Sequence, residues 1–383
     1  MYKRYLILIG LTIVVLNSAN GQSTDGRDSE SLNALKTSVS FLTIAPDSKA
    51  GAMGDAGVAT TPDINSQHWN PSKFPFVKEQ SGVAVSYTPW LRGLGVTDLN
   101  LLYLTGYRKF GNDQAVSSAL RYFNLGEISE IDINAVATGN KIRPHELAFD
   151  LGYSRMFSEN FGGGLVFRFI YSNIAAGASN LTSGARYEPG TSYAADLSAY
   201  YQKPIQLSNY NAEMAYGLNI SNIGSKMSYS EDNESQFIPT NMRLGGRLTM
   251  DIDDYNQMSF TIDLNKLLVP TPQPNDTAFD MQKIGVIEGV YKSFYDAPGG
   301  GSEELHELMW SVGAEYLYMK QFAIRAGYFN EYETKGNRKY FTLGAGFNLN
   351  VFSLDFSYLF PATGGRANPL ANTMRFTLGF RFE

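Results

Sequence analysis

Gly51-Ala-Met-Gly-Asp-Ala-Gly57 and Gln67-His-Trp-Asn-Pro71 form the core of a stretch, Phe41–Lys78, that decides the fold. It is too rich in glycine, proline and short polar residues for a long helix or strand. From Ser81 almost to Glu383 the chain changes character and alternates apolar with polar residues at period two. A segment folded in turns, followed by a long run of strands, reads as a plug and its container. The expected fold is all-β: a 14-stranded antiparallel transmembrane β-barrel over residues 81–383, with an N-terminal hatch over residues 41–80 in its lumen.

Fourteen strand-like segments fall near 82–89, 96–109, 114–123, 144–157, 161–173, 191–203, 211–223, 239–251, 256–268, 308–319, 321–331, 338–349, 352–360 and 372–382. Most are close to the roughly 9–11 residues that a tilted strand needs to cross a bilayer. Met258, Phe260, Ile262 and Leu264 alternate with Ser259, Thr261, Asp263 and Asn265. Met374, Phe376, Leu378, Phe380 and Phe382 alternate with Arg375, Thr377, Gly379 and Arg381. A soluble sandwich would also alternate, but so many long strands with so uniform an apolar face fit lipid better. The final aromatic strand is expected to pair with the first, because an open edge cannot sit in lipid.

Tight turns at Gly111-Asn-Asp113, Ser158-Glu-Asn160, 252–255, Lys320 and Asn350 alternate with longer connections at 124–143, 174–190, 224–238, 269–307 and 361–371. That is the pattern of short periplasmic turns and long extracellular loops. An even strand number then puts both ends of the barrel domain on the periplasmic side. A periplasmic lead-in is expected over residues 22–40.

The first residues read as a secretory signal, 1–21: Lys3 and Arg4, the apolar stretch Tyr5–Leu16, and a small-x-small site at Ala19-Asn-Gly21. No later apolar run is long enough for a membrane helix. The formal net charge is -6, and more negative once Lys3 and Arg4 are removed. A mildly acidic exported chain has no electrostatic footprint for nucleic acid. With no cysteine there is nothing for an oxidising compartment to act on.

If the apolar face is outward, Asp150, Arg168, Asp196, Asn219, Arg243, Arg247, Asp263, Glu315, Arg325 and Asp355 enter the lumen. Both signs occur in similar number, so mutual pairing is expected to dominate over a charged substrate path. A barrel this wide is not closed by its own side chains, and the hatch is the segment available to fill it. Gly51, Gly54 and Gly57 permit tight turns; Asp55, His68, Trp69, Asn70 and Pro71 complete the hatch residues of interest. In loop 269–307, Ile284, Ile287, Val290, Tyr291, Phe294 and Tyr295 recur at helical spacing, with Asp280 a possible cap and Pro298-Gly-Gly-Gly301 a stop. That helix either lies over its own barrel mouth or offers an apolar surface to another protein.

Catalytic signals are missing from the sequence. Three histidines, His68, His145 and His306, have no partners at zinc-ligand spacing, and no nucleophile elbow or phosphate loop occurs. Neither an enzyme nor a cofactor is expected.

The run Phe41-Leu-Thr-Ile-Ala-Pro46 through Ala59, with Pro62-Asp63 and Ser66-Gln-His-Trp-Asn-Pro-Ser72, resembles the PorV family of the type IX secretion system. That family lies within the wider FadL-like barrel superfamily, whose transporters carry Asn-Pro-Ala in the hatch. Here Asn70-Pro71-Ser72 departs by one residue and gives no support to lipid transport. The resemblance implies a non-enzymatic shuttle in outer-membrane lipid. Its partners would be a Sov/SprA-type translocon, the C-terminal signal domains of secreted cargo, and an attachment complex containing a PorU-type sortase. A FadL-type transporter of small hydrophobic molecules is the other expectation. It would need an apolar pocket beside the hatch and a gap in the wall.

Overall fold

The computed structural model describes residues 33–91, 98–131, 137–174, 188–229, 235–273, 283–362 and 373–383. The expected signal peptide, the first part of the lead-in and Asp280 lie outside the described residues.

Fourteen antiparallel strands close into one barrel. They are β1 (Ser81–Pro89), β2 (Leu99–Phe110), β3 (Gln114–Leu125), β4 (His145–Ser158), β5 (Phe161–Asn173), β6 (Gly190–Leu207) and β7 (Tyr210–Gly224). The second half comprises β8 (Asn241–Asp251), β9 (Asn256–Leu267), β10 (Met309–Tyr318), β11 (Phe322–Asn330), β12 (Lys339–Leu349), β13 (Phe352–Pro361) and β14 (Met374–Phe382). Each pairs with its neighbour in sequence, and β1 closes on β14 from Ser81↔Phe382 to Tyr87↔Phe376. The aromatic C-terminal strand is therefore half of the closing seam.

Alternation decides which side of the wall each residue faces. Phe149, Leu151 and Tyr153 on β4, and Phe260, Ile262 and Leu264 on β9, are exposed on the outer surface. Asp150 and Asp263, between them in sequence, are buried inside. An outer face of this kind suits hydrocarbon, and wall closure satisfies the backbone groups that lipid cannot. Short turns place left-handed residues at Gly111, Met319, Lys320 and Asn350. Between β3 and β4 the expected long loop is partly regular: Ile128–Ile131 pairs with Ala137–Ile142 as a separate hairpin.

The lead-in departs from expectation. Its described part, 33–40, lies at the long-loop mouth and not beside the turns. The Asn33 N–H donates to the Thr334 carbonyl at 2.9 Å, and the Ser38 N–H to the Phe237 carbonyl at 3.0 Å. Just beyond, Val39, Phe41 and Leu42 pack with Leu101, Phe123, Ala148, Ile170, Ala194 and Ile238, near the long-loop ends of their strands. The chain then descends through the lumen. Near the turn end Ile64, Phe74 and Val77 pack with Ala84, Tyr107 and Ala115, and the Lys109 ammonium donates to the Val77 carbonyl at 2.7 Å. The physical reason is burial: Val39, Phe41 and Leu42 find an apolar nest at the mouth end that a segment hanging from the turn side could not reach.

Candidate functional site

Within the hatch, Asp47 organises the first turn. Its carboxylate caps the short helix α1 (Ser48–Gly51) by accepting from the Ala50 N–H at 3.0 Å, and it accepts from Trp69 Nε1 at 2.6 Å. That pair joins the two motifs of the hatch. Gly57 shows why glycine is needed there: an added Cβ would lie 2.2 Å from the Trp69 ring. Gly54 sits at φ +71°, and its Cβ would meet the Tyr328 backbone of β11 at 2.6 Å. Here hatch and wall touch backbone to backbone. Asp55 accepts from Tyr340 Oη at 2.6 Å and pairs with Arg375 at 3.0 Å.

Asp263 of β9 holds the turn that follows. One carboxylate oxygen accepts from both the Gly57 and Val58 N–H groups, at 2.7 and 2.9 Å. Asn70 then ends α2 (Ser66–Trp69) and starts a 3₁₀ turn, Pro71–Phe76. Its Oδ1 accepts from the Ser72 N–H at 3.2 Å, while Nδ2 donates to the carbonyls of Val58 and Ala199 at 3.0 and 2.9 Å. The Ser72 hydroxyl donates to Asn70 Oδ1 as well, a bond that alanine at this position could not make. Pro71 stands at the first helical position, where a missing N–H costs nothing.

His68 is wedged between two wall arginines. Its Nδ1 accepts from Arg121 Nη2 at 2.8 Å, its carbonyl accepts from Arg243 Nη1 at 3.1 Å, and Arg243 lies 5.0 Å from the Trp69 ring centre. Burial, with repulsion from Arg121 and Arg243, holds the imidazole well below its ordinary range, so the ring is neutral at pH 7. The sequence reading did not single out Arg121, which also donates to the Leu42 carbonyl at 2.8 Å.

The hatch lies inside the lumen and outside the membrane-spanning strands, so one titration there has a clear sign. Burial, with the Asp63 charge adding to it, pushes the Asp47 carboxyl up to about 6 from 3.8. The folded chain holds this proton more tightly than the unfolded chain. Asp47 therefore erodes stability as pH rises from about 4 to about 6, and the deficit persists above that. Asp47→Asn keeps an acceptor for its partners without the charge. The pH slope of barrel denaturation between about 4 and 6 should flatten in this variant; an unchanged slope would locate the titration elsewhere.

The other inward charges are largely spent on one another. Arg168 makes two hydrogen bonds to Asp150, at 2.6 and 2.8 Å, and two to Asp196, at 3.1 and 3.0 Å. Arg325 similarly bridges Glu315 and Asp355, at 2.6 and 2.5 Å. Arg168→Met would leave two buried carboxylates without their cation and should cost roughly 3–5 kcal/mol. The check is the temperature at which the purified barrel loses its compact electrophoretic form. No change would mean that the pairs carry little of the stability. A cavity of about 780 Å³ opens at the turn end, lined by Lys49, Asp63, Arg247, Glu315, Arg325 and Asp355 among others. It is a vestibule below the hatch whose lining mixes these charges with apolar residues such as Ile64, Phe76 and Leu317.

In the outer loop the helix is α3 (Val286–Lys292), shorter than the expected 284–295. It starts after Gly285, whose N–H the Glu288 side chain faces, and ends at Ser293, ahead of the glycine run. That run instead opens α4 (Gly301–His306). α3 is held from below at Gly289, where a Cβ would meet the Phe237 ring at 2.8 Å. The apolar residues then divide. Ile287 and Tyr291 are 71% exposed, Tyr295 60% and Phe294 49%, whereas Ile284 and Val290 are half-buried. Tyr291 and Tyr295 pack edge to face at 5.5 Å, and Leu305 on α4 is also exposed. Beneath, Lys266 pairs with Glu304 and Glu307 at 3.0 and 2.6 Å, and Lys335 with Glu303 and Glu307 at 2.5 and 3.0 Å. A braced platform thus carries an apolar ridge.

A closed fourteen-stranded barrel whose lumen holds an N-terminal hatch defines a FadL-like barrel of the outer-membrane type. Several solved structures are similar to it. A deltaS2S3 mutant of TodX, a monoaromatic hydrocarbon channel, is 10% identical, with a TM-score of 0.51, covering 87% of this chain and 98% of its own. The Pseudomonas putida toluene transporter TodX is 11% identical at a TM-score of 0.49, covering 91% and 98%. A Pseudomonas aeruginosa FadL homologue is 11% identical at 0.43, covering 89% and 99%. A search of curated proteins returns no significant match. The family model for type IX secretion system protein PorV matches residues 27–274. The chain belongs to the PorV family.

Proposed function

We propose that this chain is a non-enzymatic cargo shuttle of the type IX secretion system, exported by its signal sequence to the outer membrane. In this reading its outer loops take the C-terminal signal domain of cargo at a Sov/SprA-type translocon. They carry it to the surface complex containing a PorU-type sortase. Membership of the PorV family supplies the system. The observation that carries the role is the placement of binding surface: the lumen is occupied by the pinned hatch, whereas Ile287 and Tyr291 stand exposed on α3, seated on Phe237, with Phe294 and Tyr295 exposed just past its end. Aromatic residues on a rigid support are what a protein partner uses as anchors.

Among the described residues, the closed wall offers the transporter of small hydrophobic molecules no open seam. Charged groups stand beside the apolar residues of the vestibule, and all fourteen neighbouring strand pairs are hydrogen-bonded, from β1–β2 round to β14–β1. Removing the gene separates the two. Proteins sharing the C-terminal signal should then accumulate in the periplasm. Normal secretion with lost uptake of a hydrophobic compound would reverse the assignment.

A further inference from the structure

The hydrogen bonds of the N-terminal segment join parts of the mouth that are far apart in sequence. Asn33 contacts both the turn after β11, through its N–H and the Thr334 carbonyl, and α4, through Nδ2 and Glu303 at 3.0 Å. Ser38 donates twice to the Phe237 carbonyl, from its N–H at 3.0 Å and its hydroxyl at 3.2 Å. The Phe237 ring is the one that supports α3 at Gly289. Glu303 and Glu307 also hold Lys335, and His306 stacks on Tyr332 at 3.5 Å. Lys36 and Ser40 remain exposed.

We propose that 33–40 is a strap on the outer face: the chain enters the lumen from the long-loop mouth, and on its way in it ties α4 and the 331–338 turn to the support of α3. The hatch is threaded from the mouth toward the turns. The strap and the apolar ridge consequently belong to one surface. A segment that precedes the hatch thereby helps to set the geometry of a loop more than 200 residues later. That this mouth faces outward rests on the proposed function; the strap's position relative to the loops does not.

The natural chain has no cysteine, so single cysteines report cleanly. Lys36→Cys, Ser302→Cys on α4 and Lys320→Cys in a short turn would be treated on intact cells with a membrane-impermeant maleimide. Lys36→Cys and Ser302→Cys should label, and Lys320→Cys only after lysis. Labelling of position 36 together with position 320, and apart from position 302, overturns the strap. If positions 36 and 302 label only after lysis while position 320 labels on intact cells, the strap stands and the outward orientation falls.

A pair of substitutions tests the strap without reference to orientation. Asn33→Cys with Thr334→Cys should oxidise to a crosslink in the purified, folded barrel, visible as a mobility change on a denaturing, non-reducing gel. Asn33→Cys with Lys320→Cys should not. Failure of the first pair in a folded barrel, or crosslinking of the second, contradicts the proposal.

Discussion

Asp263→Ala is expected to release the hatch while leaving the wall in place. The carboxylate accepts from two successive backbone N–H groups, Gly57 and Val58, in a site with no exposure to solvent. Each buried donor left without an acceptor costs about 1–3 kcal/mol, so the two together should cost roughly 2–6 kcal/mol. The loss falls on the hatch, because β9 keeps its ladder with β8 and β10. Limited proteolysis of the purified barrel should then cut within residues 41–80 of the variant at protease concentrations that spare the parent. Asp263→Asn retains an acceptor oxygen and should fall between the two. A hatch that stayed fully resistant in Asp263→Ala would show that its other anchors suffice, among them Thr342 to the Ala52 carbonyl and Arg375 to the Gly51 carbonyl.

A second large effect is expected at the ridge, and there binding should change without stability. Tyr291→Asp puts a charge on a side chain that is 71% exposed and packs chiefly on Tyr295. The folded barrel has little to lose from it, since surface substitutions of this kind usually fall within about 0.5 kcal/mol. An aromatic anchor at an interface can be worth 2 kcal/mol or more, which is on the order of thirtyfold in affinity. Capture of a cargo C-terminal domain by the purified protein should therefore weaken at least tenfold, with an unaltered denaturation temperature. Ile287→Asp should behave in the same way. Undiminished capture by both variants would move the binding surface off α3.

Much of the fold is legible in the sequence because lipid imposes a simple rule on it. At every second wall position the side chain must be apolar, and Phe260, Ile262 and Leu264 comply while Asp263 turns inward. The inward charges follow from the same alternation, but their partners do not. That Arg168 spans Asp150 and Asp196 depends on the stagger of three strands. Period two cannot supply that stagger. Arg121 faces inward on the same rule, yet its importance appears only once His68 is seated against it.

The parts that resisted reading are those where distant contacts choose between local possibilities. A polar segment such as 33–40 has no periodicity; Thr334, Glu303 and Phe237 bring it to the mouth. Helical spacing in 284–295 announces a helix, but either apolar face could have been turned down. Gly289 against Phe237 makes that choice and leaves Ile287 and Tyr291 outside. The hatch motif is legible as turns; its glycines are explained only by what each one meets, the Arg375 side chain at Gly51, the β11 backbone at Gly54 and the Trp69 ring at Gly57.

The central claim, that this barrel works by holding protein partners at its outer loops, is tested most directly by affinity capture. The tagged protein would be purified from gently solubilised outer membranes and its companions identified. A very large translocon barrel should be recovered, together with secreted proteins that share a C-terminal domain. Recovery of the barrel alone, with a small hydrophobic molecule bound in it, would contradict the account.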